Sequence, residues 1–161
     1  MHFKTSDLCD HHATQHHLQI AEPLFKIFGG KTSFTGRIAT LKTFEDNVLL
    51  KRALEEDGSG RVLVVDGGGS HRCALLDRSL AELACQRNWE GLVIYGCIRH
   101  SVELVHLPIG IRALHAHPLH SHQRGGGDRD ILISFASVNF RSDHYIYVDE
   151  DGMVVAEREM V

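Results

Sequence analysis

Two short stretches are apolar at nearly every position, "RVLVVD" at residues 61–66 and "GLVIYG" at 91–96. An unbroken apolar run of this length is the pattern of a strand buried on both faces. Between them Ala74, Leu75, Leu80, Ala81, Leu83, Ala84 and Trp89 predict a helix from about 71 to 88. Strand, helix, strand with short links is a βαβ unit, so the two strands are expected to run parallel. Upstream, "TSDLCDHHA" opens on the capping candidates Thr5 or Ser6, has Asp7 in its first turn, and predicts a short helix. "EPLFKIFGGKTSFTGRIATLKTF" is broken by Gly29, Gly30 and Gly36 and reads as a turn followed by a strand near 34–43. In "EDNVLLKRALEEDGSG" the stripe Val48, Leu49, Leu50, Ala53, Leu54 predicts a helix that Gly58 and Gly60 end. "RHSVELVHL" predicts a short helix and "IGIRALHAHP" a further strand. The last third is β-rich, in "ILISFASVNF", "HYIYVD" and "MVVAE", with "DEDG" as the turn between two antiparallel strands. A polar, glycine-rich loop, "HPLHSHQRGGGDRD", precedes it. No repeat or linker interrupts the pattern, so residues 1–161 are expected to form a single α/β domain.

Composition narrows the function classes. The chain is 43% hydrophobic and 24% charged, ordinary for a soluble globular protein. A net charge of −4 argues against general nucleic-acid binding, which needs a basic surface. A protein partner or a small ligand fits better. The four cysteines, Cys9, Cys73, Cys85 and Cys97, form no C-x-x-C pair and read as free thiols in a reducing cytoplasm. No N-terminal stretch has the order of a signal peptide, and no apolar run is long enough for a bilayer.

The candidate chemistry starts at Asp66-Gly67-Gly68-Gly69-Ser70, just after a buried strand. Two readings stand side by side. Backbone N–H groups at a helix start can bind a carboxylate or phosphate, and glycines keep side chains out of the way. Alternatively, the glycines serve a tight turn that needs positive φ. The loop is neither the G-x-G-x-x-G fingerprint nor a P-loop.

The order of motifs is more specific than any one of them. "SDLCD" (6–10), "EPLFKIFGGKTSFTG" (22–36), "FEDN" (44–47), "RVLVVDGGGS" (61–70), "ALLD" (74–77), "NWEGLVIYGCIR" (88–99), "LPIGIRAL" (107–114) and "VNF" (138–140) follow one another. In this order they closely resemble the RraA family, the regulators of ribonuclease activity A, over nearly the whole chain. The resemblance implies a swivelling β/β/α fold with a glycine-loop cleft and a ring-like homotrimer. It also implies one of two functions. Regulators of the family bind ribonuclease E and mask its RNA-processing activity. Class II aldolases of the family cleave 4-hydroxy-4-methyl-2-oxoglutarate to pyruvate, with oxaloacetate decarboxylation as a side activity. Relatives have also carried a methyltransferase name in menaquinone synthesis, which no pattern in this chain supports.

One comparison separates the branches. Aldolase-type members carry Gly-Asp-x-Leu after the glycine loop and, twenty residues past its Asp, Arg-Asp. A divalent cation held through a carboxylate stabilises the pyruvate enolate, and the Arg fork grips the keto-acid. Here the first motif reads Asp77-Arg78-Ser79-Leu80, and twenty residues past Arg78 comes Arg99-His100. The resemblance carries the substrate-gripping, catalytic role to Arg99 and the substrate-binding positions to Gly67, Gly68, Gly69, Asp77, Arg78, Ser79 and Leu80. The first carboxylate has become Arg78 and the metal carboxylate His100. An imidazole can ligate a metal, but suits zinc, nickel or copper better than magnesium. Asp77 lies one residue away, about 100° round a helix.

The expectation is therefore a regulator that contacts ribonuclease E or a related RNA-processing assembly, needs no cofactor and touches no RNA or membrane itself. The rival is an aldolase dependent on Mg²⁺ or another divalent cation. A third reading is a binder of a keto-acid or other small anion without turnover.

Thirteen histidines are unusual. His12 and His16 share a helix face, and His115 and His117 share a strand face, with His120 and His122 beyond. Such groups can bind zinc, but no carboxylate or thiol completes a four-ligand set, and a solvated polar surface is the simpler reading. Cys73 and Cys97 near Arg72 and Arg99 are either reactive thiols or packed ones. Arg61, Arg72, Arg78 and Arg99 make either a basic patch or separate solvated side chains.

Overall fold

The computed structural model describes residues 2–12 and 18–161. Its centre is four parallel strands: β3 (Phe34–Lys42), β4 (Arg61–Asp66), β6 (Gly91–Ile98) and β7 (Gly110–Ala116). β4 shows why they sit there. Its Leu63 and Val65 point into one apolar cluster and Val62 and Val64 into another, all fully buried. A strand buried on both faces has no polar positions to alternate with.

The sheet continues antiparallel on both sides. β11 (Tyr145–Asp149) pairs with β3, β12 (Gly152–Ala156) with β11, and β1 (Gln19–Ile20) with β12. At the other edge β2 (Lys26–Ile27) pairs with β7. Two short strands join off this path, β5 (Ala74–Leu76) on β6 and β8 (Asp128–Arg129) on β3. Helices α2 (Val48–Leu54), α3 (Arg78–Gln86) and α4 (Ser101–Leu104) bring Leu50, Leu54, Leu80, Ala84 and Leu104 to one face. The hairpin of β9 (Ile133–Phe135) and β10 (Val138–Phe140) covers the other through Phe135 and Phe140. Helix α1 (Thr5–His12) packs on β11 and β12. Thr5 tethers it by donating its N–H and hydroxyl to Asp149 at 2.8 and 2.6 Å.

Phe34 sets the glycines of two strands. A Cβ at Gly91 or at Gly110 would come well inside contact distance of a Phe34 ring atom, so these strand ends hold glycine because the aromatic ring packs against both.

The expected βαβ unit is present, with β4 and β6 parallel. The helix expected over 71–88 is shorter. Residues 67–73 are loop, Ala74–Leu76 form a fully buried strand on β6, and α3 starts at Arg78. Leu75 and Leu76 are apolar because the sheet covers them, not because they face out from a helix. Asp77 fixes the true start: its side chain accepts the Leu80 N–H at 3.0 Å. At the other end Asn88 has φ 66°, and Trp89 lies past the helix with its indole N–H on the Leu54 carbonyl at 3.2 Å. "ILISFASVNF" is likewise a hairpin, because Ala136 and Ser137 have φ 51° and 63°, the pair of left-handed residues a tight two-residue turn needs.

Candidate functional site

Parallel strands deliver their chemistry at their C-terminal ends, where the loops after β4, β5 and β6 meet. Arg99 follows β6, and its backbone N–H bonds the Leu76 carbonyl at 2.9 Å. That bond draws the two distant motifs together. Arg99 Nη2 lies 3.7 Å from Asp77 Oδ2. Its Nε is buried with no hydrogen-bond partner among the described residues.

Asp77 serves the helix as well. Oδ1 accepts the Leu80 N–H and, at 2.8 Å, the Ser79 hydroxyl. Burial alone would raise its pKa; these two hydrogen bonds, with Arg99 and His100 nearby, outweigh it and hold the carboxyl below its usual value. Arg78 turns away to Glu82 at 2.6 Å and Glu103 at 3.6 Å. Its backbone N–H donates to His100 Nδ1 at 3.2 Å. His100 itself sits at φ 60°, ahead of α4. The structure thus brings Asp77, Arg78, Arg99 and His100 into one network. Ser79 is exposed, and Leu80 is a core residue.

This donor set does not fit magnesium. The one carboxylate is engaged by a helix cap and an arginine, and a guanidinium replaces the second. His100 keeps only Nε2 for a ligand, a nitrogen where Mg²⁺ takes oxygens. Among the described residues no group of three or more His, Cys, Asp or Glu is arranged for a metal.

The glycine loop uses its own N–H groups. Gly67 and Gly69 donate to the Tyr95 carbonyl at 3.1 and 3.0 Å, and Gly68 donates to Asp66 Oδ1 at 2.9 Å. Gly68 and Gly69 both have φ 70°, the left-handed region that favours glycine. All three N–H groups therefore have acceptors within the protein, two of them at the Tyr95 carbonyl of β6 and one in the turn.

Sequence reasoning passed over what holds these loops in place. Glu45 accepts from the Ser70 hydroxyl at 2.6 Å and from Arg72 Nε at 2.7 Å. Asp46, buried, accepts the backbone N–H groups of Val48, Arg124 and Gly125. Asn47 donates its amide to the Leu75 carbonyl at 3.3 Å and its N–H to the His122 carbonyl at 3.2 Å. Three consecutive residues thus pin the glycine loop, β5 and the loop at 122–125. The visible signal was an acidic–acidic–amide run between a strand and a helix, the composition of a capping segment. Beside it a groove of about 770 Å³ runs between α2 and α3, lined by Asn47, Lys51, Arg52, Asp77, Leu80 and His120.

The remaining candidates separate. Cys73 and Cys97 are buried, and burial pushes both thiols up in pKa, which removes the thiolate a nucleophile needs. Arg61, Arg72, Arg78 and Arg99 each face an acid, Glu56, Glu45, Glu82 and Asp77, so they form no free basic patch. His16 lies outside the described residues. His115 meets His71 rather than His117, with ring centroids 4.7 Å apart.

A family model described as RraA-like (Aldolase/RraA) matches residues 5–155. The chain belongs to the RraA-like family. A Methylococcus capsulatus relative is 61% identical over the full length of both chains and bears the name "Putative 4-hydroxy-4-methyl-2-oxoglutarate aldolase". A Geobacillus kaustophilus crystal structure, described as an S-adenosylmethionine:2-dimethylmenaquinone methyltransferase, is 46% identical with TM-score 0.95, covering 98% of this chain and 97% of that one. The RNA-processing inhibitor RraA from Thermus thermophilis is 39% identical with TM-score 0.95, covering 100% and 96%. Three different activities are thus named on one RraA-like fold, and only the site can choose among them.

Proposed function

We propose that this RraA-like protein is a regulator that binds ribonuclease E, or a related RNA-processing assembly, and lowers RNA processing by protein contact, without turnover. One observation carries the reading. At the two positions where the aldolase branch holds carboxylates, this chain has Arg78 paired with Glu82 and His100 bonded to the Arg78 N–H. Neither position offers a carboxylate to the cation that the aldolase reaction uses. The likeness to the Thermus inhibitor supports the same reading, while the name of the Methylococcus relative supports its aldolase rival. In this account the protein works in the cytoplasm as a homotrimer, requires no cofactor, and touches the ribonuclease rather than its RNA, in keeping with its net charge of −4. The test is calorimetric titration of the purified protein into the non-catalytic region of ribonuclease E. Saturable binding at micromolar concentration is expected, and its absence overturns the proposal.

A second reading has its own observation. Arg99 Nε is buried and lacks an acceptor, and a keto-acid carboxylate would satisfy it. On this reading Arg99 grips the substrate of a divalent-metal aldolase, with Asp77, Arg78, Ser79, Leu80 and the loop Gly67–Gly69 lining the cleft and His100 the weak metal ligand. It expects pyruvate from 4-hydroxy-4-methyl-2-oxoglutarate and from oxaloacetate that a chelator abolishes and Arg99→Ala strongly reduces. The regulator reading expects none with Mg²⁺, Mn²⁺ or Zn²⁺.

A further inference from the structure

Outside the Arg99 network, three basic side chains from three separate segments converge beside the glycine loop. His71 follows the loop, and its ring lies edge-on to that of His115, centroids 4.7 Å apart at 81°. His115 lies near the end of β7. Lys26, on the edge strand β2, is registered opposite Ala113 and so is the diagonal neighbour of His115. All three side chains are exposed, and none has a hydrogen bond or ion pair to a carboxylate among the described residues. Glu45, which meets the same loop at Ser70 and Arg72, is already held by those two side chains.

The charges at His115 come from each neighbouring element in turn. A limited loss of solvation against the sheet, then Lys26, then His71 lower its pKa, and nothing acidic opposes them. Cys97, its Cα partner on β6, is a buried thiol raised in pKa and therefore uncharged. A metal ion is disfavoured here, because Lys26 repels it and only two imidazoles are available as ligands. An oxyanion is favoured, because the Lys26 ammonium supplies a positive charge and the two imidazoles supply N–H donors from which it can accept.

We propose that Lys26, His71 and His115 form a binding site for a phosphate-class oxyanion, inorganic phosphate or the phosphoryl group of a small metabolite. A tetrahedral dianion offers an oxygen to each of three donors, whereas a carboxylate has only two. As pH falls, protonation of His115 strengthens the site, while loss of the phosphoryl dianion, whose second pKa is about 6, works against it. It is separate from Arg99 and stands whether or not the protein binds a ribonuclease.

The experiment is a histidine NMR titration of the whole protein with inorganic phosphate, glycerol phosphate, pyruvate or chloride at constant ionic strength. His71→Gln and His115→Gln assign the two resonances. With phosphate the expected result is saturable shifts of both, a His115 pKa raised by about one unit, and affinity about tenfold weaker in Lys26→Gln. Arg99→Ala is expected to bind phosphate unchanged. Saturation by glycerol phosphate as well assigns the site to phosphoryl groups in general; saturation by inorganic phosphate alone assigns it to the free ion. Shifts that chloride reproduces, tighter binding of pyruvate than of phosphate, or loss of binding in Arg99→Ala with Lys26→Gln unaffected would each overturn the proposal.

Discussion

Asp77 does two jobs with one carboxylate, capping α3 and facing Arg99. Replacing it with alanine is expected to cost about 1 kcal/mol of stability, the usual effect of a lost cap, read as a lower urea midpoint at unchanged slope. Asp46 has more at stake, because it holds three backbone N–H groups out of water. Asp46→Ala is expected to cost about 3 kcal/mol and to expose residues 122–126 to hydrogen exchange. The same carboxylates set the acid limit. Burial alone would raise the pKa values of Asp46, Asp77 and Asp149, but hydrogen bonds outweigh it and hold all three low. Their contribution is therefore present above the unfolded carboxylate pKa of about 4 and is lost as pH falls through the lowered folded values. Urea titrations from pH 6 to pH 2 should show that fall, shallower in Asp77→Asn. No loss between those limits would contradict the assignment.

At the scale of elements, β4 and β6 were legible because a strand covered on both faces must be apolar throughout. β5 was not, because Ala74, Leu75 and Leu76 have the same composition as the buried face of α3 that follows. Only the capping geometry of Asp77 divides them. The hairpin turn at Ala136–Ser137 was hidden for a related reason, since neither residue is a usual choice for φ above zero. The glycines of β6 and β7 could be seen, but not their cause, which is the Phe34 ring from a distant strand. Gly110→Ala is expected to destabilise the protein by about 1–3 kcal/mol through overpacking. Phe34→Leu should recover part of that loss in the double variant, measured by urea unfolding. Additive losses would show that Phe34 is not the obstacle.

For the whole molecule, the ordered motifs identified the family because they span the chain, and the matched residues 5–155 agree. They also named Asp77, Arg78, Arg99 and His100, which the structure brings together. They gave no view of the Glu45–Asp46–Asn47 knot or of the Lys26–His71–His115 cluster, whose members are brought together only by sheet register and loop closure. The account places the function on a partner surface rather than in the cleft. Its most direct test is the initial rate of RNA cleavage by purified ribonuclease E with increasing amounts of this protein. A dose-dependent fall that saturates near stoichiometric binding is the predicted result, retained in Arg99→Ala. An unchanged rate at large molar excess would contradict it.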